Sequence, residues 1–379
     1  MEFDSFADVL QKFLIDAEEE TDISQSQGTY TVCFCSYFLF LVLFLVLLND
    51  VQVVSAAFAI AGPVFDNSVK FTNLDKWPEV SGEDLGKMFG MKVEIINDFV
   101  GLSQGLVTLE DKDTMILQKG HQMEKGVKVC IGAGTGLGES YLTYNSDIGQ
   151  YEAWPSEGGH SDFVPRTTEQ LAMTHWIRAK IYPEQLADDL GARISVERVC
   201  SGGGLVNTYE FLRSYYPQQI DKQLDAIYEA AGEKEKPAVI TEYGTRNMSS
   251  LMGHTVTIFL STLGTEIANS ALKFLPYGGI YIAGGIIPKL VEKYTKGIEA
   301  CEINNPQSCS GAILNGYEIY KTLKRDAKNK GRMGTLLEKI PVFLVVGDKI
   351  DTIAISGAQI VAKRIAQRRL LAADKIVAQ

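Results

Sequence analysis

The sequence is poor in the residues that build metal centres. Its four histidines, His121, His160, His175 and His254, form no H-x-x-x-H pair. Its six cysteines, at positions 33, 35, 130, 200, 301 and 309, form no C-x-x-C. That spacing argues against structural zinc, and no metal ligand set is expected from the side chains. Free thiols in a reducing, cytoplasmic setting are the expectation. No lysine- or arginine-rich cluster stands out and the net charge is −11. Nucleic acid is therefore not an expected partner. An acidic surface still admits a nucleotide, because backbone N–H groups hold phosphates locally. Internal repeats and low-complexity tracts are absent, and Lys375–Gln379 is not a peroxisomal address of the S-K-L kind.

What is present suits an ordinary globular protein. The 379 residues, 46% apolar and 22% charged, suffice for two domains with their own cores. One stretch departs from that pattern. Residues 31–48 read TVCFCSYFLFLVLFLVLL, close to the shortest length that spans a bilayer. The flanks carry Glu18–Glu20 and Asp50 but no Lys or Arg to set an orientation. The acidic start and late apolar run do not fit a signal peptide. Two readings stay open: a membrane anchor, or a stretch foreign to the fold such as untranslated sequence carried into the reading frame. The second is preferred. A run of this kind left exposed would promote aggregation.

Helical and strand patterns alternate along the chain. Phe6, Val9, Leu10, Phe13 and Leu14 share one helical face. Strands are predicted over residues 53–60, 93–96, 127–131, 138–144, 150–154, 280–283 and 342–346. Val256, Phe259, Leu260, Leu263, Ile267, Ala268 and Ala271 predict a long amphipathic helix ending at Gly278–Gly279, and residues 353–371 a closing helix. This order indicates an α/β protein.

The segment Ile131-Gly-Ala-Gly-Thr-Gly-Leu-Gly138 carries the first chemical signal. Glycines let a backbone turn tightly and aim several N–H groups at a phosphate. Neither the dinucleotide fingerprint nor the Walker loop fits, and both of those lead from strand to helix, whereas this loop joins two strands. Alone, it reads equally well as a plain turn. Asn97-Asp98 follows a strand, where side chains are held rigidly. Glu157-Gly158-Gly159-His160 sets an acid and an imidazole on either side of a flexible step, and Glu197 lies in a further polar segment. Carboxylates suit sugars because each accepts several hydroxyl hydrogen bonds. Singly, an Asn-Asp is most often a turn and a Glu a solvated face.

As an ordered set these segments are far more specific. Phe58-Ala-Ile-Ala-Gly-Pro-Val64, Glu94-Ile-Ile-Asn-Asp-Phe99, Gly132–Gly138, Glu157-Gly-Gly-His-Ser-Asp-Phe163, Glu197-Arg-Val-Cys-Ser-Gly202 and Ile282-Ala-Gly-Gly-Ile-Ile-Pro288 resemble the successive motifs of bacterial-type ATP-dependent glucokinases. The resemblance runs from about Val54 to the C-terminus. It implies a two-domain actin-like, ribonuclease-H-like sugar kinase fold with a cleft between domains. The expected boundaries are a small domain over 1–105 and a large domain over 106–379, with the C-terminal helix returning to the small one. It implies transfer of the ATP γ-phosphoryl group to the 6-hydroxyl of glucose, with Mg²⁺, in a homodimer. Asp98 resembles the catalytic base. Asn97, Glu157, His160 and Glu197 resemble the sugar ligands. Gly132, Gly134, Thr135 and Gly136 resemble a phosphate loop, and Gly284 and Gly285 the adenosine-side turn.

One family feature has no counterpart. The D-x-G-G-T turn that forms the family's first phosphate loop does not occur in this sequence. A non-catalytic sugar-binding relative is the alternative that this departure raises, and membrane contact is expected only if residues 31–48 are an anchor.

Overall fold

The structure is a computed structural model that describes residues 5–6, 8, 11, 34–36, 39–41, 55–60, 62–70, 77–185, 193–292 and 321–377. In chain order the strands begin with β1 (Phe34–Ser36), β2 (Leu39–Leu41), β3 (Ser55–Ile60), β4 (Val64–Phe65), β5 (Ser68–Val69), β6 (Val80–Ser81) and β7 (Lys92–Asn97). Helix α1 (Gly82–Phe89) precedes β7 and α2 (Asp98–Gly105) follows it. Strands β8 (Thr114–Gln118), β9 (Lys128–Ala133), β10 (Leu137–Asn145) and β11 (Gln150–Ser156) come next. Helices α3 (Thr168–Ile181), α4 (Gly202–Tyr215), α5 (Lys222–Ala230), α6 (Lys236–Arg246) and α7 (Leu251–Phe274) then lead to β12 (Gly279–Ala283) and α8 (Ile286–Glu292). Strand β13 (Val342–Val345) and the long helix α9 (Lys349–Val377) close the chain.

Two compact units result. The first comprises residues 1–110, 144–155 and 351–379, and the second 111–143 and 156–350. In the first, β3 and β7 pair in parallel, from Ser55↔Lys92 to Ile60↔Asn97. Every residue of β3 is buried, as suits a parallel strand covered on both faces. Ala57, Ala59 and Ile96 pack against Ala358, Val361 and Ala362 of α9. Small side chains bring helix and strand close enough for the buried Ser55 hydroxyl to donate to the Ala362 carbonyl at 3.0 Å. Glycines do the same between α2 and α9: a Cβ on Gly357 would lie 1.7 Å from the Gly101 carbonyl oxygen.

The second unit holds β8, β9, β12 and β13 and most of β10, strands of a sheet whose order is β11-β10-β9-β12-β13-β8. Its centre, β9-β12-β13, is parallel, and β10 and β8 run antiparallel to their neighbours. Helix α7 lies in this unit's core. All seven residues predicted for its apolar face are buried, Ala271 most exposed at 3%. The helix ends at Phe274, not at Gly278–Gly279 as the pattern predicts, because Leu275 turns into the left-handed region (φ 44°) ahead of Pro276. A proline disfavours the helical conformation of the residue before it and brings no N–H of its own. Helix α9 begins four residues before its predicted start at 353 and extends to Val377.

Of the apolar run at 31–48, Phe34–Ser36 and Leu39–Leu41 are described, and they form an antiparallel pair of three-residue strands. The rest of the run, and most of the helix predicted from Phe6, lie outside the described residues. Among the described residues no helix is long and apolar enough to cross a membrane.

The glycine contact gives a direct test. Gly357→Ala forces α9 away from α2, and overpacking of this kind costs roughly 1–3 kcal/mol. A lowered melting temperature with retained secondary structure is expected by circular dichroism; an unchanged midpoint would show that the two helices do not meet at this glycine.

Candidate active site

The glycine loop sits where the pattern puts it, in a hairpin. Strands β9 and β10 pair from Leu142↔Lys128 to Leu137↔Ala133, leaving Gly134, Thr135 and Gly136 as the turn. The Gly134 N–H donates to the Gly136 carbonyl at 2.8 Å, and the Gly202 N–H, at the start of α4, donates to the Gly134 carbonyl at 2.8 Å. Thr135 is exposed and Gly132 buried. A Cβ added to Gly134 would meet nothing within 4 Å, so the face of the turn is open.

Glu197 fixes this turn from a distant part of the chain. Its Oε2 accepts the Leu137 N–H at 2.9 Å, and a Cβ on Gly136 would lie 2.6 Å from the same oxygen. Glu197 belongs to a short 3-10 turn, Val196–Arg198. That turn is tied to the Glu157–His160 segment by backbone bonds: Phe163 N–H to the Ile194 carbonyl at 3.0 Å and Val196 N–H to the Ser161 carbonyl at 2.8 Å. The Ser201 hydroxyl donates to the Glu197 carbonyl at 2.7 Å and accepts the Gly204 N–H at 3.0 Å, so the same segment caps α4.

The Gly158–Gly159 step is not the flexible hinge that its composition predicts. Gly158–His160 forms a 3-10 turn and Gly159 is buried. A Cβ on Gly159 would lie 1.8 Å from the Leu137 carbonyl oxygen, and one on Gly158 would lie 2.2 Å from Glu139 Oε2. Glycine is required here for close approach. Glu157 and His160 face outward from the turn, both side chains more than half exposed, with Oε2 and Nε2 3.8 Å apart. Leu137 is thus the common neighbour of Glu197 and of the Glu157–His160 turn.

The second glycine turn lies beside the first. Strand β12 pairs in parallel with β9, ending at Ala283↔Gly132. Gly284 then turns with φ 82°, a conformation that favours glycine, and its missing Cβ would lie 2.7 Å from the Ala133 carbonyl oxygen. Gly132–Gly136 and Gly284–Gly285 therefore emerge together from the carboxyl ends of two adjacent parallel strands, the edge at which open α/β sheets bind ligands.

Asn97 and Asp98 belong to the first unit, at the junction of β7 and α2. Asn97 Oδ1 accepts the Phe99 and Val100 N–H groups at 2.9 and 3.3 Å, while its Nδ2 donates to the Gly62 carbonyl at 3.1 Å. It is the helix cap and also a tie to the turn after β3. Asp98 opens the helix, and its Oδ1 accepts the Phe99 N–H at 2.9 Å. The junction fixes the direction in which Asp98 leaves the backbone. Among the described residues no group of three or more His, Cys, Asp or Glu is arranged to hold a metal ion.

Sequence reasoning missed a buried acid pair. Glu139 on β10 and Glu266 on α7 are each 3% exposed. Two signals mark them. Glu139 shares the inward parity of Leu137 on its strand, and Glu266 lies three residues after Leu263 on the buried stripe of its helix.

The sequence model of the Glucokinase family matches residues 1–302. The chain is 34% identical to the glucokinase of Synechocystis over 325 residues, covering 83% of this chain and 82% of the relative. Its fold is similar to that of the glucokinase of Balamuthia mandrillaris solved in complex with glucose (TM-score 0.61, 16% identity, 96% of this chain and 85% of that one). It is also similar to a ROK family glucokinase of Streptomyces griseus solved with glucose and AMPPNP (TM-score 0.51, 17% identity, 83% and 82%). The fold is the mixed α/β fold of the solved sugar kinases. The chain belongs to the glucokinase family.

Two glycines with opposite surroundings test the packing. Gly159→Ala drives a Cβ into the Leu137 carbonyl and should destabilise by roughly 1–3 kcal/mol. Gly134→Ala meets open space and should leave the melting temperature within a degree or two, roughly 0.5 kcal/mol. Equal effects in the two variants would contradict the described turn.

Proposed function

We propose that this chain transfers the γ-phosphoryl group of ATP to the 6-hydroxyl of glucose, giving glucose 6-phosphate and ADP. The observation that carries the reading is the pairing of the two glycine turns at the carboxyl ends of β9 and β12, with Glu197 bonded to the first of them. In this reading Gly132, Gly134, Thr135 and Gly136 cradle phosphate oxygens through backbone N–H groups, and Gly284 and Gly285 take the adenosine side. Glu157, His160 and Glu197 hydrogen-bond sugar hydroxyls. Glu197 uses one oxygen on the Leu137 N–H, so the sugar and the phosphate loop share a support. The open face over Gly134 fits a phosphate.

Asp98 is the base. The glucose 6-oxygen attacks the γ-phosphorus, the bond to the bridging oxygen breaks, and ADP leaves with that electron pair. Phosphoryl transfer has a loose transition state, so the hydroxyl becomes acidic late. Asp98 therefore holds the hydroxyl first and receives its proton as the new bond forms. Asn97, as helix cap, keeps the carboxylate aimed. Mg²⁺ would arrive on the nucleotide phosphates, needing one or two protein carboxylates rather than a dedicated cage, and would neutralise their charge. Most of the catalysis is positioning and charge stabilisation by preformed groups.

A second reading, a sugar-binding protein without turnover, is favoured by one observation: the sequence contains no D-x-G-G-T turn. Calorimetry and a coupled assay separate the two. Glucose binding with ADP release supports the kinase. Glucose binding without turnover supports the alternative, and a folded chain that gives neither heat nor a thermal shift with millimolar glucose overturns both.

In the active protein, Asp98→Asn should lower kcat by roughly 10²–10⁴-fold with little change in glucose binding; near-normal turnover would remove Asp98 from the mechanism. Gly134→Val should block the nucleotide while sparing glucose. Equal ATP affinity in that variant, by titration calorimetry, would make the loop a turn and nothing more.

A further inference from the structure

Beneath the Gly158–Gly159 step lies a polar cluster with no role in the chemistry above. Glu139 Oε2 lies so close to Gly158 that a Cβ there would approach within 2.2 Å. The same oxygen accepts the Ser270 hydroxyl at 3.4 Å, and Ser270 is fully buried. Glu266 Oε2 accepts the Asn269 amide at 3.2 Å, and Asn269 Oδ1 in turn accepts Lys330 Nζ at 2.5 Å. Glu139 Oε1 and Glu266 Oε1 are both buried with no hydrogen-bond partner among the described residues. An unpaired oxygen on a buried carboxylate is a costly arrangement unless the group holds a proton.

We infer that Glu139 is held protonated and that, in this form, it is a positioning residue for the Glu157–His160 turn. The inference rests on the reading of that turn as part of the sugar site. Loss of the proton places an unpaired charge in a dry pocket. Glu139 Oε2 packs against Gly158, so a shift that relieves the charge moves the turn. Glu157 and His160 then leave their places together, and glucose affinity falls.

The surroundings agree with a proton held near neutrality. Burial, and next the charge of Glu266, push the Glu139 carboxyl up to about 8. Lys273, further along α7, and the Ser270 hydroxyl oppose that rise. The Cys200 thiol, also facing the pair, is pushed well up by burial and then by Glu266 and Glu139, so it stays neutral. Lys330 is lowered by burial, with Glu266 opposing and Arg166 and Lys273 adding to the effect. The nearest groups on the turn itself, Glu157 and His160, are exposed to solvent.

The test is glucose affinity against pH, by calorimetry on the full chain. Apparent affinity scales with the fraction of competent protein, so the wild-type Kd should be about tenfold weaker at pH 9 than at pH 7. Glu139→Gln cannot ionise and should lose this alkaline rise. A wild-type Kd that is flat over this range overturns the inference without reference to any variant. So does an alkaline rise that survives in Glu139→Gln. No glucose binding at any pH removes the sugar-site reading itself, and this inference with it. Stability supplies a second readout. The native state keeps a proton that the unfolded chain releases near 4.5, so melting temperature should decline as pH rises from about 4.5 to about 8, then level off. Glu139→Gln should decline less over that window, and an identical slope in both proteins would overturn a proton held on Glu139.

Discussion

The candidate site depends on one residue, Leu137. The N–H of Leu137 is held by Glu197, and its carbonyl lies against Gly159 with no room for a side chain. Through that residue the Gly134–Gly136 turn, the Glu197 segment and the Glu157–His160 turn are joined. None of the three is regular secondary structure of any length. Each gains its geometry from the others, and β10 anchors the set because Leu137 is its first residue and is buried. Preformed donors and acceptors are worth most when they need not move as charge develops. A residue whose N–H is held by a carboxylate and whose carbonyl is packed against a glycine meets that condition.

The sheet adds the second constraint. Parallel pairing of β9 with β12 fixes which turns are neighbours, since parallel strands point their carboxyl ends the same way. The two glycine turns lie about 150 residues apart in the chain, an interval on the order of a whole domain. Only the register Ala283↔Gly132 sets them edge to edge.

Much of this was legible in the residues, and for identifiable reasons. The apolar face of α7 has a helical period long enough to be unambiguous, and the glycine loop is flanked by alternation on both sides, which marks a hairpin. The ordered motifs identified the family before any fold was seen. Legibility failed where a local signal competed with a longer-range one. Gly278–Gly279 looks like a helix stop, yet Pro276 acts first. Gly158–Gly159 looks flexible, but glycine serves there for contact with residue 137, twenty-two positions upstream. Glu197 carries a carboxylate suited to a sugar, and nothing nearby in sequence reveals that it also holds a backbone amide sixty residues away. Glu139 and Glu266 broke an apolar pattern, and a charged residue on an apolar stripe is the informative exception.

The first compact unit has a consequence for synthesis. It is assembled from residues 1–110, 144–155 and 351–379, and its strand β3 is covered by α9, which follows the second unit in the chain. The bond from Ser55 to Ala362 spans 307 positions. A chain emerging from the ribosome therefore holds β3 and β7 uncovered until α9 has been made. The second unit, which lies within residues 111–350, is complete before α9 is. At an elongation rate of roughly 5–20 residues per second, the apolar face of β3 waits for on the order of fifteen seconds to a minute. During that interval an apolar strand stands uncovered, and the length of its exposure is set by how far α9 lies from β3 in the sequence.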